Sequence, residues 1–237
     1  MLIRQMQASV EYWLRAAYRN NEPEIAKLAQ DRTPADLLQG AVHRMAAQWQ
    51  RRFNEFSLKE ATRFAKSAQG YADKRFQKAL KDAGFTIEFH PTPAINDALQ
   101  AAINENVALI KSIPSQYFTE IEGMVMRAVQ RGGDLEHLTT ELRKRYGITR
   151  RRAETIARDQ NAKATAVVHR VRQQEIGVTE AVWMHSHGGR HPRQSHLEAD
   201  GKRFEVAKGM YIDGEWIWPG EKINCRCVSA SVIPGLS

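Results

Sequence analysis

Only two cysteines occur among 237 residues, Cys225 and Cys227, one residue apart. A disulfide framework needs more of them, and more widely spread. The pair is too close to close a useful loop, so a reducing compartment with two free or metal-bound thiols is expected. Long apolar runs are missing as well. The longest, Val107 to Ile110 and Ala181 to Met184, are four residues each, whereas a membrane-crossing helix needs ~20. No membrane association is expected. The first residues, Met1 to Arg19, have no apolar h-region and no small-residue cleavage site, so no secretory signal is expected. Internal repeats and low-complexity tracts are absent.

What is present is ordinary for a folded chain. Apolar residues make up 42% and charged residues 26%, and the length suits roughly one to two domains. The net charge of +8 is unevenly placed: Glu141 to Ile176 holds ten Lys/Arg against four Asp/Glu, a local excess of +6. A basic segment of this kind suits a polyanion such as nucleic acid, or simply a solvated helix face.

The first ~175 residues read as helical from their periodicity. Leu58, Ala61, Thr62, Ala65, Ala68, Ala72, Phe76 and Ala79 form one stripe, with Ser57 as a candidate cap, Glu60 as its capping-box partner and Gly84 as a stop. Thr33-Pro34 opens an earlier helix. Ile95 to Ile110 marks another, and a further one starts near Ser115. Asp134 caps a short helix through Tyr146 that ends at Gly147, and Thr149 starts a long helix ended by Gly177. Phe85 to Phe89 alternates apolar and polar before Pro91 and Pro93, which fits an edge strand or an extended connector.

After Gly177 the helical period stops. Thr179 to His185, Lys202 to Val206, Tyr211 to Trp218 and Cys227 to Ile233 read as short strands, with Asp213-Gly214 as a hairpin turn. Trp216 and Trp218 share one strand face by alternation, so a broad apolar face is expected there. The fold class is therefore α+β. The division is a helical region over 1–133 and a second part over 134–237, itself a helical hairpin (134–176) followed by a β-rich module (177–237). That module has few aliphatic residues for a core of its own, so it leans on the long helix or on a staple.

The staple is suggested by four histidines, His185, His187, His191 and His196, within twelve residues, followed by Asn224-Cys225-Arg226-Cys227. Strand alternation would put both thiols on one face, and His185 and His187 on another. Cys225 and Cys227 with His196, His187 or His185 then form a candidate tetrahedral zinc shell, whose binding energy would become folding energy. Two catalytic alternatives use the same residues. A Cys–His dyad with His196 is one, although no helix N-terminus precedes the cysteines to depress a thiol pKa. A metal-dependent nuclease or toxin-like hydrolase is the other. It would want hard oxygen ligands such as Glu198, Asp200 and Asp213, two of which read first as turn residues. Leu135 to Gln160 superficially resembles a helix-turn-helix, which allows a DNA-binding regulator. Arg150, Arg151, Arg152 and Arg158 are the candidate nucleic-acid contacts.

The ordered set Ala157-Arg158-Asp159-Gln160-Asn161, Gly177, Trp183, Pro192-Arg193-Gln194-Ser195-His196, Asp200-Gly201, Pro219-Gly220 and Asn224-Cys225-Arg226-Cys227 resembles the C-terminal domain of the phage Mu F-like minor head protein (head morphogenesis) family, over about Thr149 to Pro234. The resemblance implies a structural rather than enzymatic virion component of a tailed phage or prophage. Such a protein assembles in the host cytoplasm and is retained inside the head near the portal. It implies the portal protein and other capsid components as partners, with non-specific contact to packaged DNA. Related domains are fused to toxin domains in some proteins; none is expected after the match here. Many relatives carry an Asp ahead of the Arg in the loop before the Ser-His pair, where this chain has Gly188-Gly189-Arg190.

Overall fold

The computed structural model describes residues 1–20, 34–130, 135–188 and 191–233. Four long helices come first: α1 (Leu2–Asn20), α2 (Pro34–Asp82), α3 (Pro93–Gln130) and α4 (Leu135–Glu175). Then follow β1 (Glu180–Met184), a short α5 (Gln194–Glu198), β2 (Arg203–Glu205), β3 (Met210–Ile212), β4 (Glu215–Ile217) and β5 (Val228–Ser231). The architecture is α+β, as its sequence indicates. Among the described residues no helix is long and apolar enough to cross a membrane.

Three expected breaks are not breaks. Ser57 lies in the middle of α2, fully buried, and its hydroxyl donates to the Asn54 carbonyl at 2.8 Å. Satisfied within its own helix, it needs no cap role. Pro114 and Ser115 lie inside α3, and Gly147 lies inside α4. The expected hairpin over 134–176 is therefore one continuous helix from Leu135, and the helix-turn-helix reading falls with it. A single glycine costs a helix only about 1 kcal/mol, which the buried Leu142 and Thr149 on either side offset through packing. A Cβ at Gly147 would meet nothing closer than an Arg151 guanidinium nitrogen at 3.8 Å. Gly147→Ala is accordingly expected to stabilise the chain by ~0.5–1 kcal/mol, read from denaturant midpoints at unchanged slope. The expected caps Thr33 and Asp134 lie outside the described residues.

The chain divides into two compact units. The first comprises residues 1–58 and 107–154. Its core follows the helical period: Met6, Val10 and Leu14 from α1, Leu38, Val42, Met45, Trp49 and Phe53 from α2, Tyr117, Ile121 and Val125 from α3, and Leu138 and Leu142 from α4. A polar tie joins two of these helices, with Gln39 Nε2 and His43 Nε2 each 2.9 Å from Glu122 Oε1.

The second unit comprises residues 59–106 and 155–237. The expected α2 stripe is realised here by Ala61, Ala65, Ala68, Ala72 and Phe76, joined by Leu80 rather than Ala79, while Leu58 is exposed. Ala72, Ile95 and Val168 meet in one cluster with Leu99 and Val171 against it. Two helices end in the same way. Gly84 (φ 88°) and Gly177 (φ 77°) take the left-handed conformation. The following residues Phe85 and Val178 donate back to Leu80 and Gln173, the Schellman arrangement. Phe85 to Phe89 is a connector rather than a strand, and Phe89 stacks on Phe76 with centroids 5.6 Å apart.

Arg172 on α4 organises this helical layer. It is 2% exposed and carries bonds from three of its nitrogens. Nε and Nη2 grip the two oxygens of Asp73 at 2.9 and 3.2 Å, and Nη1 reaches the His90 carbonyl and Glu175 Oε2 at 2.8 Å each. Its guanidinium carbon lies 4.7 Å from the Phe89 ring centre. Glu175 also accepts from Thr92, whose hydroxyl caps α3 through the Ile95 amide.

His169, one turn before Gln173, is half-buried against Phe76 with ring centres 4.4 Å apart, and its Nε2 lies 3.2 Å from the Ser229 carbonyl. Burial drives its pKa down to about 4, with Arg75 adding to the effect and the Ser229 carbonyl opposing it. The neutral ring, donating to Ser229, is the folded form. Between pH 6.5 and 4 the unfolded chain takes up a proton that the folded chain refuses, so stability falls as pH falls. The expected loss by pH 4 is about 3 kcal/mol from this group. Denaturant titrations at pH 7 and pH 4 check it: His169→Gln should lose less by about that amount, and an unchanged difference would assign the acid sensitivity to other groups.

The β-rich module packs two small sheets on this layer. One has the order β2-β1-β5, antiparallel throughout, with Val182 opposite Arg203 on one side and opposite Ala230 on the other. The second is the β3–β4 hairpin, turned by Asp213 (φ 52°) and Gly214 (φ 88°) where its sequence calls for it. The tryptophan expectation is corrected. Ile212 and Ile217 face the core, while Trp216 is 55% exposed beside Tyr211. Trp218 lies beyond β4, donating from Nε1 to Val206 O at 2.9 Å under the Arg170 guanidinium.

Candidate metal centre

The module's core contains Ala181 and Trp183 from β1, Phe204 from β2, Ile212 and Ile217 from the hairpin, and both cysteines. Aliphatic side chains are few, and the thiols take the place they would fill. Cys225 and Cys227 do not lie on a strand. They sit in the extended segment that leads into β5, each 4% exposed. The backbone before them is bent at Asn224 (φ 60°), whose amide donates to Asp159 Oδ1 on α4 at 2.6 Å, and Cys225 N donates to Lys222 O at 2.8 Å. Gly220 (φ 87°) precedes this knuckle; a Cβ there would stand 2.7 Å from the Ala166 Cβ, so only glycine lets the loop approach α4 so closely.

His196 comes from the opposite side, on α5. That short helix is pinned by Arg193 Nη2 to Ile223 O (3.0 Å) and by Ser195 Oγ to Asp213 Oδ2 (2.8 Å). His196 is 3% exposed, lies edge-on to Trp183 at 5.3 Å, and directs Nδ1 to both sulfurs: 3.5 Å to Cys225 Sγ and 3.6 Å to Cys227 Sγ. The three ligand atoms all lie within 4.8 Å of one another. Tetrahedral zinc, with bonds of about 2.3 Å to sulfur and about 2.0 Å to nitrogen, separates its ligands by about 3.5 Å. Donor types, burial and spacing all fit a soft divalent ion.

The electrostatics of the trio favour anionic sulfur. The Cys227 thiol donates to Cys225, the backbone N–H groups of Cys227 and Gly220 and the nearby His196 add to this, and the Cys225 pKa is driven well down despite burial. Its neighbour Cys227 is driven up by the adjoining Cys225 sulfur and by burial, with the Trp183 indole N–H and the Ser186 amide acting the other way. Their contact favours the anion on Cys225 and the thiol on Cys227. Trp183 Nε1 is buried and has no partner in full hydrogen-bond geometry, so the sulfur is the group its dipole serves.

His185 and His187 are not among these three. β1 ends at Met184, and His187 turns into the left-handed region at φ 50°, so strand alternation does not apply to them. Both serve Asp200, which accepts the His185 amide at 2.7 Å and meets His187 Nε2 at 3.0 Å. Those bonds, the His185 amide first, hold the Asp200 carboxyl below its usual range. His191 and Glu198 are exposed, and Asp213 is engaged by Ser195. Among the described residues, the His196–Cys225–Cys227 trio is the sole group of metal-ligand type, and no carboxylate joins it.

The candidate nucleic-acid residues do not form one exposed row. Arg150 is paired with Glu154 at 2.9 Å, and Arg152 is half-buried with Nη2 on Ser112 Oγ at 3.0 Å. Arg151, in the first unit, and Arg158, in the second, are exposed. Sequence reasoning gave no role to Asp159 and Gly220, and read Trp183 as a core residue, which it is. Each stands inside a motif of the resemblance, and Asp159 links two of them: the α4 motif holds the Asn224-Cys225-Arg226-Cys227 knuckle through a carboxylate 8% exposed.

Comparison with known proteins agrees with these motifs. An uncharacterized protein of Haemophilus influenzae is 36% identical over 142 residues, 60% of this chain and 31% of its own length, so the chain spans about a third of that relative. No solved structure matches. The model of the family described as Phage Mu protein F like protein matches residues 119–230, starting ahead of the motif-bearing segment and ending within β5. The C-terminal part of this chain, from residue 119 within α3 to residue 230 within β5, is similar to the Phage Mu protein F like family.

Proposed function

We propose that the protein is a structural head-morphogenesis component of a tailed phage or prophage. It acts in capsid assembly at the portal vertex, is retained inside the head, and is not an enzyme. The domain match supports the head assignment. The observation that carries the structural reading is the burial of the trio: His196, Cys225 and Cys227 are each no more than 4% exposed, packed with Trp183 in the module's core. Groups placed there brace a fold; a catalytic ion needs a position that substrate can reach.

In this reading a zinc ion takes His196 Nδ1 and both sulfurs. The fourth position falls to His185 or His187, which flank Ser186, the residue whose amide favours the Cys227 thiolate. His187 would give up its ring contact with Asp200, whereas His185 would keep its own, which is made by the backbone amide. The ion supplies cross-linking energy, the Trp183 N–H and the Gly220 amide offset thiolate charge, and Asp159 fixes the knuckle. The portal protein and other capsid components are the proposed partners. Packaged DNA is a proposed non-specific contact through the exposed Arg151 and Arg158, with Arg150 and Arg152 in supporting positions.

Mass spectrometry of purified particles, with and without the gene, tests the reading. The protein is expected in wild-type heads, and its loss is expected to lower the yield of DNA-filled heads. Absence from particles overturns the assignment. Metal-dependent cleavage of DNA or RNA by the purified chain, abolished in His196→Ala, would replace it with a hydrolase.

A further inference from the structure

The second unit contains an open groove of about 710 Å³ that the proposed head role does not use and that the metal centre borders only through Cys227. One wall is α2 from Tyr71 to Leu80 with Ala83 just beyond its end, the floor is α4 around Ala166 and His169, and the other wall is β5. β5 is an edge strand, since the sheet order is β2-β1-β5. Its register settles which backbone groups face the groove. Val232 N donates to Glu180 O, so residues 228, 230 and 232 turn their amides and carbonyls toward β1. Ser229 and Ser231 turn theirs outward. The Ser229 carbonyl is met by His169, which leaves the Ser229 amide and both Ser231 groups unpaired within the sheet. Both serine hydroxyls are held on the α4 side by Gln173, so they do not cover that edge.

The lining is mainly apolar, including the half-exposed Met184 and Val228. Its charged members are Arg75 and Arg226, with no Asp or Glu among them. Arg75 is exposed, and Arg226 is tied by one nitrogen to the Gly188 carbonyl. An exposed strand edge in an apolar groove is a template for one more strand. Two cations with no counter-charge select the sign of the occupant.

We propose that β5 is extended by a strand from a partner protein: an extended, mainly apolar segment whose acidic side chains meet Arg75 and Arg226. Its backbone pairs with Ser229 and Ser231, and its apolar side chains enter the groove against α2. The inference is independent of the head assignment and of zinc.

The test uses the full chain and two blocked peptides, Val-Glu-Val-Thr-Val-Glu-Val and its counterpart with lysine for glutamate. The acidic peptide is expected to bind at least tenfold more tightly and to protect the Ser229 and Ser231 amides from hydrogen exchange. Arg75→Glu, on an exposed helix face, should remove most of the charge preference. Ser231→Pro deletes an outward amide without touching the β1 ladder and should weaken binding at least tenfold. Circular dichroism of both variants confirms folding, and Arg75→Glu carries the test if Ser231→Pro does not fold. Equal affinity for the two peptides, or no protection at Ser229 and Ser231, overturns the proposal. So does sedimentation showing a dimer that pairs through β5 and excludes the peptide.

Discussion

Chelation of the purified chain is expected to unfold the module from Val178 to Val232 while leaving the first unit's helices folded. Protein prepared without a metal-affinity tag should carry about one zinc per chain. Structural zinc contributes an apparent ~10–16 kcal/mol in small metal-dependent folds, which is comparable to the whole stability of an ordinary domain. The module has a partial core of its own in Trp183, Phe204, Ile212 and Ile217, so a fraction of that energy suffices to hold it together. Without the ion, two sulfurs and a histidine stay packed where aliphatic contacts would otherwise be. Cys225→Ala and Cys227→Ala should each abolish stoichiometric zinc and expose the β1 amides to rapid hydrogen exchange. His187→Ala and His185→Ala separate the candidates for the fourth position: the one that lowers zinc affinity supplies it. A chain that holds no zinc and melts identically with and without chelator would retire the metal and leave the thiols as small core residues.

The second large effect is expected at Arg172. Arg172→Ala should destabilise the second unit by about 3–5 kcal/mol, the range for removing one partner from a buried ion pair. Asp73 and Glu175 remain partly hydrated, with side chains 16% and 22% exposed, so the lower part of that range is the central expectation. The loss has four sources: the paired grip on Asp73, the bond to Glu175, the bond to the His90 carbonyl in the connector, and the packing over Phe89. Arg172→Lys keeps the charge but not the fork, and should recover less than half. Urea unfolding followed at the second unit's amides reads the difference. A cost under 1 kcal/mol for the alanine variant would mean that water replaces these contacts.

The β-rich module was legible in its sequence because its signals are local. Alternation, Asp213-Gly214, Gly177 and Gly201 fix strands and turns within two or three residues of where they occur. The helices were legible in kind but not in extent. Ser57, Ser115 and Gly147 each read as punctuation, and each lies inside a helix. The reason is that packing along 38–49 residues outweighs a local cost of about 1–3 kcal/mol. The chemistry of the candidate site was legible as residue types. Its membership was not. Which histidine joins the cysteines depends on the path of the chain: β1 stops at Met184, and α5 carries His196 back beneath Trp183. Asp159 carried no signal of its role, because an acidic residue on a basic helix reads as surface until Asn224 is folded against it.

The central strand β1 is made early and its neighbour β5 is made last, forty-four residues after Met184 at its first position. During synthesis β1 can pair with β2, but its other edge stays open until the cysteines and the strand that follows them have cleared the ribosome's exit tunnel. Trp183 and its strand wait with one flank bare, the condition in which a nascent chain most needs a chaperone's shelter. A chain that ends between Met184 and Val228 lacks β5 and leaves that flank of β1 unpaired.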